Sequence, residues 1–392
     1  MKKFLAVMIF MMILSNIGCA QSSGDFCWKY FATLNKNENI FYSPYGLNSA
    51  LSILANGATG STQTEILTAL DVDNVQALND AHKNFAEYDN FAEATLFLID
   101  KKIIGRGLDK NFQRIVTDVY NSDVREADFE NNLDGEKKKI SRWVSDKTKN
   151  FIPNYNSIAT TATLTDLLNV VYFKGDWAMP FKARQTSRRN FKNRDGSESE
   201  VDMMSKTFDE RIAYYADEKF KGIKLPYTKN AAMYLILPVD DNTLNVAELW
   251  DAETFSYRAD FLDALRNFPV FAGEVVVRLP KFELDIENNL VENFNAIGIK
   301  KAFTANAEFF NIVKDTPLKI GNAQHRAKIK VDEQGTEAAA VTEIVMVEAG
   351  AVPDFREPRR VYFIAERPFL FVIRDFDSGT ILFAGALNKI SG

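Results

Sequence analysis

Apolar residues recur at helical spacing in five stretches of the first half of the chain: Pro44–Asn56, Thr62–Leu70, Gln76–Tyr88, Asp109–Tyr120 and Asp134–Lys149. The first opens on Ser43-Pro44, a capping serine followed by proline at the first helical position. Phe26-Cys27-Trp28-Lys29-Tyr30-Phe31 reads as a further amphipathic helix behind the cap Asp25. Strand-like runs follow at Ala94–Asp100, Leu164–Lys174, Ala231–Pro238, Glu274–Glu283, Phe369–Arg374 and Thr380–Leu387. Helices first and strands in quantity later predict an α+β fold with large, mostly antiparallel sheets. No repeat, low-complexity tract or Pro/Ser-rich linker divides the chain, so one large domain is expected.

One stretch does not fit a routine element. Ile329–Val347 reads as an extended strand of period two. One face takes Thr336, Ala338, Ala340, Thr342, Ile344 and Met346; the other takes Glu337, Ala339, Val341, Glu343, Val345 and Val347. The first face is small, then apolar, with no charge before Glu348, as for a strand with one side buried. Yet Thr-Glu-Ala-Ala-Ala is also a good helix start. Gly350, Pro353, Pro358 and the arginines 356, 359 and 360 then mark exposed loop. A mobile loop and an ordinary edge hairpin both satisfy the pattern.

Composition narrows the chemistry. The chain has 392 residues with a net charge of −6, too acidic and too free of basic runs for a nucleic-acid binder. Two His and two Cys cannot build a typical zinc site, and no HExxH, CxxC or EF-hand loop occurs, so no metal is expected. There is no GxSxG elbow and no phosphate-binding loop. Gly105-Arg106-Gly107 lacks the third glycine of a dinucleotide fingerprint and reads as a hairpin turn. A hydrolase triad would have to use His82, expected to be exposed on a polar helical stretch, or His325.

The N-terminus has the anatomy of a secretory signal over residues 1–20: Lys2 and Lys3, the apolar run Phe4–Leu14 and the small residues Gly18-Cys19-Ala20. A lipoprotein signal with Cys19 as the lipidated residue is the alternative. Removal of the signal leaves one cysteine, Cys27, read as a buried structural thiol. No N-x-S/T sequon occurs, so an exported chain is either not N-glycosylated or bacterial.

Glu333-Gln334-Gly335-Thr336-Glu337-Ala338-Ala339-Ala340 resembles the reactive-loop hinge of the serpins, the serine protease inhibitor superfamily. Further matches run along the chain: Asn39-Ile40-Phe41-Tyr42-Ser43-Pro44, Leu168 to Trp177 followed by Phe181, Val201-Asp202-Met203-Met204, Leu279-Pro280-Lys281-Phe282, Pro368-Phe369-Leu370-Phe371 and Ile381-Leu382-Phe383-Ala384-Gly385. The resemblance implies an α+β fold over residues 21–392, with three β-sheets, eight or nine helices and an exposed reactive-centre loop at about 335–360.

It also implies a mechanism. The target protease takes the loop as substrate and forms an acyl bond, and the cut loop enters the main sheet as an extra strand, dragging the enzyme with it. Ten to twelve inserted residues at roughly 0.5–1.5 kcal/mol per hydrogen bond rival the ~5–15 kcal/mol stability of a domain, so the uncut state is metastable. Small Thr336, Ala338, Ala339 and Ala340 suit entry between strands, and Gly335 suits the bend. By the same analogy Glu333 pairs with Lys281 where the sheet opens, and Asn169, His325 and Ser43 form a polar cluster that closes it lower down. Gly46 stands where the family has a second serine.

The family spacing of seventeen residues from Glu333 places the reactive bond at Ala349-Gly350, which suits an elastase-like serine protease. Val347-Glu348 and Arg356-Glu357 are the alternatives, the last favouring a trypsin-like enzyme but adding about 23 Å of slack. The expected partner is therefore a serine protease held covalently by a monomeric inhibitor, with no nucleic acid and no small-molecule cofactor. No heparin site is evident, since Gln76–Tyr88 holds only His82 and Lys83 as basic residues. A non-inhibitory binding or carrier serpin and a secreted hydrolase are the alternative functions.

Overall fold

The computed structural model describes residues 26–83, 85, 91–104, 107–209, 212–218, 220–239, 268–314, 316–336 and 359–390. Seven α-helices occur among them: α1 (26–32), α2 (Pro44–Gly57), α3 (Gly60–Leu70), α4 (Val75–Lys83), α5 (Lys110–Tyr120), α6 (Phe129–Lys147) and α7 (Leu290–Ala296). Their starts are set by side-chain caps. Ser43 accepts the Gly46 amide at α2, Asp109 the Asn111 and Phe112 amides at α5, and Asp128 the Asn131 amide at α6. The cap at Asp128 explains why α6 begins five residues before the expected Asp134, across a kink at Asn132.

Three sheets organise the strands. The largest runs β3 (Asp123–Ala127), β2 (Phe91–Asp100), β4 (Thr165–Phe173), β13 (Asn322–Val331), β14 (Gly335–Thr336), β5 (Gly175–Asp176), with β12 (Phe282–Asn289) on the far side of β13. A six-stranded sheet runs β1 (Ile40–Tyr42), β17 (Ile381–Leu387), β16 (Phe369–Asp375), β10 (Ala231–Pro238), β9 (Phe220–Pro226), β8 (Ala213–Ala216). A four-stranded sheet runs β15 (Arg360–Ile364), β11 (Glu274–Pro280), β7 (Glu198–Asp209), β6 (Ser187–Lys192). Among the described strands only β2 with β3, β4 with β13 and β11 with β15 pair in parallel.

The core lies between the layers. One cluster packs α2 against the six-stranded sheet around Leu51, Leu54 and Tyr234. A second joins all three sheets around Phe371, Phe383 and Val277, and a third seats Ile140 and Trp143 of α6 on Leu168 and Val170 of β4. Cys27 is buried, its Sγ 3.3 Å from Tyr42 Oη.

Four expectations need correction. The run Glu274–Glu283 is two strands in two sheets, broken at Lys281 after Pro280, where the chain leaves β11 for β12. Ile329–Val347 is not one continuous strand: β13 ends at Val331, and Asp332–Gln334 turn the chain back into β14. Gly107 lies between a 3-10 turn (Lys101–Ile103) and α5, not in a hairpin; Gly105 and Arg106 lie outside the described residues. His82 is half-buried, its ring stacked 5.3 Å from that of Tyr45 and 4.5 Å from Tyr120, and burial pushes its pKa down to about 4.

Candidate functional site

The centre of the large sheet is where the expected residues meet. Toward its lower end β4 and β13 pair directly, from Asp166 opposite Asn322 to Val171 opposite Ala327. Toward its upper end they part, and β14 occupies the gap, Thr336 facing Val331 on one side and Gly175 on the other. The two halves are in register. Val331 and Gly175 flank Thr336, and nine residues back along both chains Asn322 already faces Asp166. A strand growing from β14 therefore meets both neighbours without a register shift.

The upper end is held by a turn and an ion pair. Gln334 N–H donates to Asp332 Oδ1 at 2.9 Å, and Asp332 N–H donates to Gly335 O at 2.9 Å. The segment after β5 clamps this turn: Trp177 N–H donates to Gln334 O at 2.7 Å and Phe181 N–H to Glu333 O at 2.9 Å. Only glycine fits at 335, since a Cβ there would lie 2.0 Å from Gly175 O. Thr336 is buried, its Oγ1 2.7 Å from the Oη of Tyr227, whose ring stacks on Trp177. Glu333 lies 3.0 Å from Lys281 Nζ and accepts Thr186 Oγ1–H at 2.8 Å. Burial pushes the Glu333 carboxyl up, but these two partners outweigh it and hold the pKa below the usual range.

The lower end is closed by buried neutral groups. Ser43 N–H donates to His325 Nε2 at 3.0 Å, so Nδ1 carries the proton toward Asn169 Oδ1, 2.8 Å away. Asn169 Nδ2 donates in turn to Glu93 Oε1 at 2.5 Å and Thr95 Oγ1 at 3.0 Å. Ser43 Oγ donates to Leu382 O at 2.6 Å while capping α2. Burial pushes the His325 pKa down to about 3. The departure at Gly46 has a steric reason: a Cβ there would sit 2.6 Å from Asn169 Oδ1 and 2.7 Å from a Val171 methyl.

Among the described residues, His325 and Ser43 do not form a hydrolase pair. His325 is fully buried with both ring nitrogens committed, and Ser43 Oγ is spent on a backbone carbonyl. Among the described residues no three His, Cys, Asp or Glu side chains converge on a metal position, and no helix is long and apolar enough to cross a membrane.

Ala338, Ala339, Ala340, Val347, Glu348, Ala349, Gly350, Arg356 and Glu357 lie outside the described residues, as does the N-terminal signal with Cys19. Sequence reasoning missed four partners: Tyr227, Thr186, Thr95 and Glu93. The last was legible. Starting β2 at Phe91 instead of Ala94 puts Glu93 on the same face as Phe91, Thr95 and Phe97, a carboxyl on a buried face.

A three-sheet α+β molecule with a two-residue strand wedged into the top of its main sheet defines a fold class. The chain matches the family Serpin (serine protease inhibitor) over residues 21–390, and it belongs to that family. It is 30% identical over 363 residues to Iripin-1 of Ixodes ricinus, covering 90% of this chain and 89% of the relative. It is also 30% identical over 370 residues to intracellular coagulation inhibitor 2 of Tachypleus tridentatus, covering 91% and 87%. The native state of the thermophilic serpin Tengpin superposes with a TM-score of 0.81 at 25% identity, over 95% of this chain and 94% of that one. Thyroxine-binding globulin in complex with thyroxine superposes with a TM-score of 0.78 at 24% identity, over 95% and 99%, a likeness of fold. The family is one of protease inhibitors, not of enzymes.

Proposed function

We propose that this chain is an exported suicide-substrate inhibitor of a serine protease with a small, elastase-like primary pocket. The observation that carries the reading is the wedge of Gly335 and Thr336 between β5 and β13, in register with the closed strands below. Continuing that register in a cut chain brings Val345 level with both Asp166 and Asn322. Residues beyond it then reach a cleft of about 470 Å³ at the foot of β4 and β13, lined by Leu164, Thr165, Leu318, Lys319 and Asn322. A chain cut after Ala349 ends in that cleft; a chain cut after Arg356 trails well past it. The acyl-bound enzyme is pulled to the foot of the sheet only in the first case.

The hinge composition favours inhibition, because Thr336, Ala338, Ala339 and Ala340 bring no charge or bulk between the strands. Residues 1–20 carry the export signal, with lipid attachment at Cys19 as the variant of that reading. Incubation with an elastase-type protease tests the proposal. The expected result is a complex that survives SDS, together with a released fragment whose mass begins at Gly350. Clean cleavage without a complex would overturn inhibition and leave a binding or carrier protein. A fragment beginning at Glu348 or Glu357 would move the reactive bond to Val347 or Arg356.

A further inference from the structure

A buried acid stands behind the lower closure. Glu93 lies on β2 opposite Val171, two residues from Thr95, which faces Asn169. Among the described residues no salt-bridge partner compensates it. From β4 it faces the neutral Asn169, from α2 Ser49, from α4 His82 and from α5 Tyr120. The charge acting on it comes from Lys147 of α6, whose ammonium is engaged by Asn121 O at 3.2 Å and Asp123 at 3.8 Å. A cavity of about 50 Å³ separates it from the rings of Tyr45, His82 and Phe91.

The two ends of an amide have the same shape, so only its partners decide which way it points. Glu93 Oε1 and Thr95 Oγ1 receive the nitrogen end of Asn169, which leaves the oxygen end for His325 Nδ1–H. The result is a directed chain from Ser43 N–H through His325 and Asn169 to Glu93, crossing β13, β4 and β2.

We propose that Glu93 is a positioning residue for sheet opening: it fixes the Asn169 amide with its oxygen toward His325 and so keeps β4 locked to β13. The inference rests on the inhibitory reading, in which a strand entering between β4 and β13 must break the contact between His325 and Asn169. The pairing of β2 with β4 survives that entry, so Asn169 stays with Glu93 and the chain parts at one link. Burial pushes the Glu93 pKa up to about 8, so at neutral pH the carboxyl is protonated and one oxygen still accepts.

A double-mutant cycle on the intact chain, read by melting temperature and by the rate of spontaneous conversion to an uncut inserted form, tests this. Glu93→Ala should lower the melting temperature by several degrees and speed conversion severalfold in the natural background. In an Asn169→Ala background it should change neither, because the residue it acts through is gone. Additive effects, or a Glu93→Ala chain indistinguishable from the natural one, would overturn the proposal.

A pH series adds a readout that lost packing would not move. A carboxyl raised from 4.5 to about 8 binds more protons folded than unfolded, so stability falls as pH rises between those values and levels above. The windows of His325, His82 and Asp166 close by about pH 6.5, which leaves Glu93 alone among these four groups from there to pH 8. The natural chain should lose melting temperature over that interval. Glu93→Gln, which keeps the acceptor and cannot ionise, should lose that slope and stay level over the interval. A natural chain that is itself level over that interval, or a Glu93→Gln chain that keeps the slope, would overturn the proposal. No protease enters these measurements, so a failure to form covalent complexes would strike the proposed function and leave this result standing.

Discussion

The two ends of one strand gap are held shut by opposite kinds of chemistry. At the top, Lys281 and Glu333 form an ion pair that is 36% and 12% exposed, beside a two-residue strand already in place. Lower down, β4 and β13 are joined through His325 and Asn169, both fully buried and both uncharged. A pair open to solvent on its lysine side is partly screened by salt and contributes modestly, whereas a fully buried polar group left without its partner is costly. Under the proposed insertion, the gap is weak where the new strand would start and strong where it would run. In the proposed mechanism such a sheet opens only to a chain end that supplies replacement hydrogen bonds.

The contrast is sharpened most by removing the lower link. Asn169→Ala strands the His325 Nδ1–H in a dry site and takes a donor from Glu93 and Thr95, which should lower unfolding stability by about 3 kcal/mol or more. Denaturant titration reads this directly, and a loss no larger than that of Lys281→Ala would erase the distinction between the two ends. Acid should weaken the same link. The folded pKa of His325 lies near 3 against 6.5 unfolded, so the unfolded chain takes up the proton first and stability falls as pH drops through that window. Between pH 6.5 and 5 the natural chain should lose about 2 kcal/mol more than His325→Gln.

Thr336→Arg attacks the wedge itself. Its side chain is 1% exposed against Tyr227, and a guanidinium cannot stay there unpaired. Expulsion of β14 should cost about 1–2 kcal/mol in the intact chain and shift protease encounters from complex to clean cleavage, read by the ratio of the two products on SDS gels. Lys281→Ala should give the smallest change, about 0–1 kcal/mol, shrinking further in high salt. Acid acts on the same pair: the lowered Glu333 pKa contributes stability above the ordinary glutamate value, lost as pH falls through the folded one.

Much of this was legible in the sequence, for identifiable reasons. The helices announced themselves because Ser43-Pro44 and Asp109 are caps and the apolar spacing behind them is regular. Ala231–Pro238 emerged at the expected bounds because a strand buried on both faces is a continuous apolar run. The break at Lys281 was hidden, since both strands flanking it are apolar enough to read as one. The wedge was hidden too, because period two describes Gly335 and Thr336 equally well as the end of β13 or as a separate strand beside it. Tyr227 and Thr186 reach the site from 109 and 147 residues away, and no local pattern marks a partner that distant. Glu93 was lost to a strand boundary drawn three residues late.

The account turns on whether the wedge is the first rung of a longer strand. The measurement that decides it is the melting temperature of the intact chain beside that of the same chain cut once after Ala349 with both pieces retained. Nine further residues in register with Asn322–Lys330 should raise it by about 20 °C or more. Equal melting temperatures would mean that no strand is added when the loop is severed, and the wedge would then be an ordinary turn.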